Sequence, residues 1–360
     1  PSLVKALDPE IPYWESSPKI GWGHLESLNR GDSHYWGVWW GNEPFEVYRK
    51  KVARFSSEFG FQSMPQMSTI LAFADSSEME IDSKAMLAHQ KSSIGNKTLI
   101  EYMNRDFTVP SKFEDFVYVS QLVQAYGLSI ALEAQRRAKP RSMGSLYWQL
   151  NDCWPGISWS SLDYFGNWKA LHYEAQSDFK NFLISFEERN DGIAVFVVSD
   201  SLVDIQTRLE LKLMDFYGKV LIQSDTFLVI PANISKEVLK INSDKISQGV
   251  NREEMVLSAK LFVGSRSIAE NNFFFSRPKD LILPSETQVS YKVDGQEIRL
   301  WSTMGTLIKN IYLETENNVH FSKNYFDILP NDTVSLQFES KDDLIKGLRF
   351  KSLEDIKSAP

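Results

Sequence analysis

The chain has 360 residues, more than one ordinary domain, and its 42% hydrophobic content suffices for two or three sizeable cores. A formal net charge of −8 excludes the basic stripe that a phosphate backbone requires, and no apolar run is long enough to span a bilayer as a helix, so neither nucleic acid nor membrane is expected as a partner. Cys153 is the only cysteine, which excludes a disulfide within the chain and a thiolate metal cage and leaves the redox compartment open. The sequence begins at Pro1 with no initiator Met and no signal-peptide pattern, which reads as a processed product or a piece of something longer.

In chain order, four strand-like runs come first: "IPYWESSP" (11–18), "SHYWGVWWG" (33–41), "ARFSSEFG" (53–60) and "GSLYWQLND" (144–152). Helical patterns fill the gaps. "EPFEVYRKKVA" has Pro44 in its first turn, and residues 111–140 carry Phe113, Phe116, Val117, Leu122, Val123 and Leu128 at helical spacing before Pro140 stops them. Strand–helix–strand alternation predicts a parallel sheet with helical crossovers over residues 1–184. From about Phe186 the period changes to short alternating runs, "IAVFVVSD", "RLELKLMDF", "VLSAKLFVG" and "NNFFFS". A second set follows Arg277-Pro278: "VSYKVDGQEIRLWS", with Asp294-Gly295 as a hairpin turn, then "IKNIYLETE" and "TVSLQFES". These predict two β-sandwiches, 185–277 and 278–360, in a multidomain α/β plus all-β chain. Neither sandwich shows a cluster of titratable residues, so both read as packing modules.

The chemistry is therefore sought in the first region, which holds nine of the ten tryptophans, Trp14 to Trp168, with only Trp301 beyond. Its strand ends repeat Trp, Tyr, Asn, Asp, His and one Glu. Flat indole rings beside hydrogen-bonding side chains suit a pyranose, whose C–H faces stack on aromatics while its hydroxyls need fixed donors and acceptors. Trp36, Trp39 and Trp40 near one strand end and Trp148 on another form the candidate sugar surface. Glu58, in "RFSSEFGFQSMP", is a lone carboxylate in an aromatic run, with Ser56, Ser57 and Gly60 leaving space around it. A competing reading makes it a cap for the next helix. Gly95-Asn-Lys-Thr98 lacks the preceding glycine of a phosphate loop and reads as a helix start, and Gly21-Trp-Gly23 has no third glycine for a dinucleotide fingerprint. The five histidines lack ligand spacing, so no metal and no cofactor are expected.

"GDSHYWGVWWGNEPFEVY", "RFSSEFGFQSMP" and "GSLYWQLNDCWPGISWSSLDYFGNWKALHY" resemble, in the same order, three stretches of the C-terminal half of the catalytic (β/α)8 TIM barrel in glycoside hydrolase family 2, within it the β-mannosidases. "FSKNYFDILPND" (321–332) is similar to that family's last immunoglobulin-like domain. The resemblance implies a retaining exo-glycosidase that removes terminal non-reducing β-D-mannose from β-mannoside oligosaccharides, with Glu58, at the end of barrel strand 7, as nucleophile. It also implies that Trp148 lies beneath the sugar with a cis Trp148–Gln149 peptide, and that Asn151, Asp152 and Trp154 rim the pocket. Asp152 could equally be a structural partner of an arginine. His34 would hydrogen-bond a sugar or position Glu58, and Trp36 and Trp40 would contact substrate.

The family's acid/base belongs to an Asn-Glu pair ending strand 4. The only such pair here, Asn42-Glu43, lies one unit before Glu58 and at a helix start, so it is rejected. With strands 5 to 8 at 11–17, 33–40, 53–60 and 144–152, strand 4 would precede Pro1. The expected partner is thus the N-terminal half of the same enzyme, carrying the acid/base, and residues 1–360 alone are expected to be inactive. Alternatives are another family 2 specificity, β-galactosidase or β-glucuronidase, and a carbohydrate-binding protein without catalysis. The compartment is left open, a periplasmic or lysosome-like one being compatible.

Overall fold

A computed structural model describes residues 1–243, 251–317, 319–341 and 344–357. Residues 1–30 carry the short helix Ser2–Leu7 and a 3-10 turn, Leu25–Leu28. The run 11–18, expected as a strand, is not one: it stays exposed through Ser17 and has no ladder partner. Aromatic and β-branched residues fit a pleated surface, but a strand exists only where a neighbour takes up its N–H and C=O groups.

The next expected strands survive only as short parallel pieces. β1 (Ser33–His34) pairs with β2 (Ser56–Glu58), Ser33 opposite Ser56 and His34 opposite Glu58. The partner advances two residues for one, so Ser57 is the extra residue of a bulge, a device that re-aims a side chain. On the other side of β2, Ser145 forms a parallel bridge with Ser56, extended by Leu146 N donating to Ser56 O at 2.8 Å and Trp148 N to Phe59 O at 2.8 Å. The chain order across this patch is therefore 33–35, 55–59, 143–148.

The helix expected over 43–53 is only a 3-10 segment, Phe45–Arg49, after Pro44. Gly95–Asp106 is helical, starting at the glycine of the rejected phosphate-loop motif. The long helix Phe113–Arg137 carries Glu114 and Asp115 in its first turn and Arg136 and Arg137 in its last, charges that complement its dipole. Phe45 seats against it at Gly127, where a Cβ would lie 2.2 Å from the Phe45 ring. Trp39, Phe45, Tyr48, Phe59, Phe61, Tyr102, Leu128 and Leu132 share the core beneath this helix.

The remainder is antiparallel. β3 (Phe182–Arg189), β4 (Gly192–Ser199) and β7 (Ser235–Asn242) form a sheet in the order β3-β4-β7. It faces β6 (Val220–Ile230), β5 (Ile205–Asp215), β8 (Met255–Val263) and β9 (Arg266–Phe274), in the order β6-β5-β8-β9. Alternate residues such as Leu209, Leu211 and Leu213 point into the shared core with Ile193, Val195 and Val197, the pattern of an immunoglobulin-like sandwich. A second sandwich repeats the four-plus-three arrangement: β10 (Val289–Asp294), β11 (Glu297–Ser302), β15 (Thr333–Ser340) and β13 (Val319–Phe321) against β14 (Phe326–Ile328), β12 (Ile308–Glu314) and β16 (Arg349–Lys351). Its β10–β11 hairpin turns on Gly295 and Gln296 rather than on Asp294-Gly295, with Asp294 opposite Glu297 and Gly295 at φ 58°.

The last sandwich is tied back to the first region. Tyr118 donates its hydroxyl to Asn310 O at 2.6 Å, Tyr325 donates to Gln121 Oε1 at 2.8 Å, and Lys351 pairs with Asp115 at 2.7 Å. Leu353 and Ile356 of the terminal helix Leu353–Lys357 enter the same core as Trp39 and Phe59. Among the described residues no helix is long and apolar enough to cross a membrane.

Candidate active site

The parallel pairing brings His34, Trp36 and Glu58 together. Trp36 donates its Nε1–H to Glu58 Oε2 at 3.0 Å, and His34 Nδ1 lies 3.1 Å from the same oxygen. Glu58 Oε1 has no hydrogen-bond partner among the described residues, and the side chain keeps 26% exposure. One oxygen is thus anchored by two ring N–H groups while the other faces solvent. A helix-capping carboxylate would accept backbone N–H groups instead, so the capping reading of Glu58 does not hold.

Behind the pair stands a residue that sequence reasoning did not single out. Asp32 Oδ2 accepts from Ser17 Oγ and from Ser57 Oγ, each at 2.5 Å, and Asp32 Oδ1 accepts from Trp14 Nε1 at 3.3 Å. His34 Nε2 is 3.3 Å from Ser17 Oγ and 3.9 Å from Asp32 Oδ2. Burial pushes the Asp32 carboxyl up, but hydrogen bonds from Ser17, Ser57 and Trp14 outweigh it, and the group ends below the usual carboxylate range. A carboxyl held ionised in this way is a poor proton donor. The signal was present in "GDSH", but it becomes a contact only through the Ser57 bulge and the return of the 14–17 segment.

Trp148 is half-exposed, and its backbone N–H donates to the carbonyl of Phe59, the residue after Glu58, at 2.8 Å. Its peptide to Gln149 is cis, as the resemblance implies. A Cβ on Gly60 would lie 2.2 Å from Trp148 O and 3.3 Å from the Trp36 ring, so a glycine is required for the Trp148 backbone to approach this closely. Trp39 is a core residue, edge-on to Phe61 at 5.0 Å and to Trp159 at 5.4 Å. Trp40 is half-exposed, its backbone N–H donates to Trp36 O at 2.9 Å and its ring lies edge-on to that of Trp39.

The loop after Trp148 divides. Asn151 is exposed, and its carbonyl accepts from Gln149 Nε2 at 2.7 Å. Asp152, with 1% of its side chain exposed, accepts from Lys91 Nζ at 2.6 Å, Ser158 Oγ at 2.7 Å and Ser160 Oγ at 2.6 Å. These bonds fit its structural alternative, with a lysine in place of the expected arginine. Trp154 stacks on His89, centroids 4.7 Å apart, and His89 stacks in turn on Phe73 at 3.9 Å. Glu43 accepts from the Tyr35 hydroxyl, which burial and that contact hold well above the usual tyrosine range, so Glu43 serves a buried structural bond away from Glu58. Among the described residues no three His, Cys, Asp or Glu side chains are arranged to hold a metal.

Two family models match the sandwiches: a mannosidase Ig/CBM-like domain over residues 191–280 and a mannosidase Ig-fold domain over residues 278–356. A β-mannosidase B of Aspergillus flavus is 27% identical over 92% of this chain and 42% of its own length. The goat (Capra hircus) β-mannosidase is 30% identical over 69% of this chain and 30% of its own. The crystal structure of a β-D-mannosidase from Dictyoglomus thermophilum superposes with a TM-score of 0.88 at 29% identity, covering 97% of this chain and 43% of that one. The chain belongs to glycoside hydrolase family 2. Within that family it corresponds to the C-terminal part of the β-mannosidases, and it spans about two-fifths of the length of the fungal and bacterial relatives.

Proposed function

We propose that the protein containing this chain is a retaining exo-β-mannosidase in which Glu58 is the nucleophile and the acid/base lies outside residues 1–360. The observation that carries the reading is the one-sided grip on Glu58, with Oε2 held by His34 and Trp36 and Oε1 without a hydrogen-bond partner among the described residues. Glu58 Oε1 attacks the anomeric carbon, the bond to the leaving oxygen breaks, and a glycosyl ester forms. The acid/base, ~5–5.5 Å away, protonates the departing oxygen and then activates the water that hydrolyses the ester. Trp148 and Trp36 supply aromatic faces for the sugar, and Trp40 and Asn151 stand at the rim. The choice of mannose rests on the names of the relatives.

We further propose that residues 1–184 are the C-terminal half of a (β/α)8 barrel, followed by immunoglobulin-like domains at 185–277 and 278–360. Three parallel neighbours in the order 33–35, 55–59, 143–148 support this, with Glu58 at the C-terminal end of its strand, where barrel active sites lie. Exposed apolar side chains support it too: Leu146 and Leu150 flank Trp148 at 56% exposure each, and Leu25 is 96% exposed. Such a surface is expected where another half-barrel closes over it. Without that half, nothing in residues 1–360 protonates the leaving oxygen, a contribution of ~10²–10⁴-fold.

The test is covalent labelling of the longer protein with a 2-fluoro-mannosyl fluoride, followed by peptide mapping. The label is expected on Glu58. Labelling of Glu43 or Glu80 refutes the assignment, and turnover of only galactosides or glucuronides on a nitrophenyl glycoside panel refutes the sugar. Hydrolysis by purified residues 1–360 at the full-length rate refutes the half-barrel.

A further inference from the structure

The hydrogen bonds around His34 determine where its protons are. Ser17 has one hydroxyl hydrogen and commits it to Asp32 Oδ2 at 2.5 Å, so toward His34 Nε2, 3.3 Å away, it offers only lone pairs. Nε2 must therefore donate. On the other edge of the ring, Nδ1 lies 3.1 Å from Glu58 Oε2, and an ionised carboxylate only accepts. Nδ1 must donate as well. A ring that donates from both nitrogens is an imidazolium, and it needs a counter-ion besides the carboxylate that is about to lose its charge in ester formation.

We propose that Asp32, acting through Ser17 and directly on His34, is a positioning residue that keeps His34 cationic and aimed at Glu58 throughout the reaction. The inference rests on Glu58 being the nucleophile. Asp32 is suited to this by its three donors, Ser17, Ser57 and Trp14, which leave its charge undiminished and its side chain fixed. Ser57 couples the arrangement to the nucleophile's own strand, because the bulge that turns Ser57 to Asp32 also sets Glu58 opposite His34. The 14–17 segment thereby has a task although it forms no strand. When Glu58 becomes an ester its oxygen accepts more weakly, and the Asp32 charge then holds His34 in place for the return step. The sugar never meets Asp32.

The experiment compares full-length Asp32→Asn, Asp32→Glu and Ser17→Ala with the unsubstituted enzyme, following inactivation by 2-fluoro-glycosyl fluorides at Glu58 and separating the limiting rate from the inactivator's affinity. Asp32→Asn keeps the side chain's size but removes the charge and leaves one acceptor oxygen in place of two. It is expected to slow the limiting rate about 10–100-fold, the scale at which outer partners of functional histidines act, with affinity unchanged and partial rescue by Asp32→Glu. Ser17 is exposed, so Ser17→Ala folds normally, and its limiting rate is expected to fall severalfold. Normal labelling rates in both Asp32→Asn and Ser17→Ala overturn the proposal alone, as does a loss confined to affinity. Should the unsubstituted enzyme be labelled elsewhere or by no glycosyl fluoride, the nucleophile assignment fails and this inference with it.

Discussion

The first sandwich and the site-bearing region differ in how far they close their cores, although β6 of that sandwich leaves Phe227 exposed. In the first sandwich the alternating side chains of β4, β5 and β8 all turn into one closed core, and strand meets strand across both sheets. In the first region Leu3, Leu7, Ile11, Tyr13, Trp14, Trp22 and Leu25 are exposed, as are Leu146, Trp148 and Leu150 around the candidate site. The first sandwich closes its own core, whereas the candidate site sits where the fold is left open. Binding surface and incomplete packing coincide there, because a sugar needs uncovered aromatic faces.

That contrast can be tested at decreasing scale. Glu58→Ala in the full-length protein is expected to lower kcat by on the order of 10⁴–10⁶-fold, the range of nucleophile deletions, with an unchanged melting temperature. A calorimetric shift of several degrees would mean that Glu58 serves the fold instead. Gly60→Ala comes next. Its Cβ would overlap the backbone oxygen of Trp148, and displacing that backbone is expected to cost about 10²-fold in kcat/KM, the penalty of misplacing a group by about 1 Å. Equal activity would show that Trp148 can shift freely.

Trp148→Ala should weaken binding of a mannose-configured inhibitor by about 1–2 kcal/mol, while Trp301→Ala on β11 should lower stability and leave that affinity intact. Isothermal titration and thermal melts of both variants separate the two regions directly.

The smallest effects are in the pH dependence of stability, and they have opposite signs. Burial pushes the Lys169 ammonium down to about 7 from 10.5, against the pull of Asp152 and Asp163. Between those pH values the unfolded chain holds the extra proton, so the contribution of Lys169 to stability rises with pH from 7 to 10.5. Burial likewise pushes the Glu354 carboxyl up to about 7 from 4.5, although it accepts from Lys309 N at 2.9 Å. There the folded chain holds the extra proton, so its contribution is full below pH 4.5 and is lost as pH rises through 7. Melting temperatures of Lys169→Met and Glu354→Gln across pH 4–10 are expected to differ from the parent with these slopes. A parallel offset for either variant would show that its group titrates normally.

The sandwich strands were legible because alternation is a local pattern that one buried face enforces on its own. The helix at 113–137 was legible from periodicity and from Pro140, and only the start of the one at 95–106 was, from Gly95-Asn-Lys-Thr98. The strand expected at 11–17 was not there to be found. "IPYWESSP" has the right residue types, but its pairing depends on a neighbour that no local pattern reveals. Glu58 came from a resemblance over a dozen residues, whereas Asp32 and Ser17 were missed because they converge only through tertiary pairing. Asp152 shows the same limit: its sequence neighbours suggest a pocket rim, yet Lys91, Ser158 and Ser160 draw its carboxylate inward.

The docking of Leu353 and Ile356 into the core that carries Trp39 and Phe59 has a consequence for synthesis. A ribosome delivers residues in order, and domains ordinarily consolidate as they emerge. The region bearing Glu58 emerges before both sandwiches, yet one wall of its core arrives only with the helix Leu353–Lys357. The first sandwich, β3 to β9, can close before that helix is made, so the Glu58 segment, made before the sandwich, is finished after it. A stop codon at Leu353 would leave every strand of both sandwiches in the chain and expose the interior beneath Glu58 to chaperones and proteases.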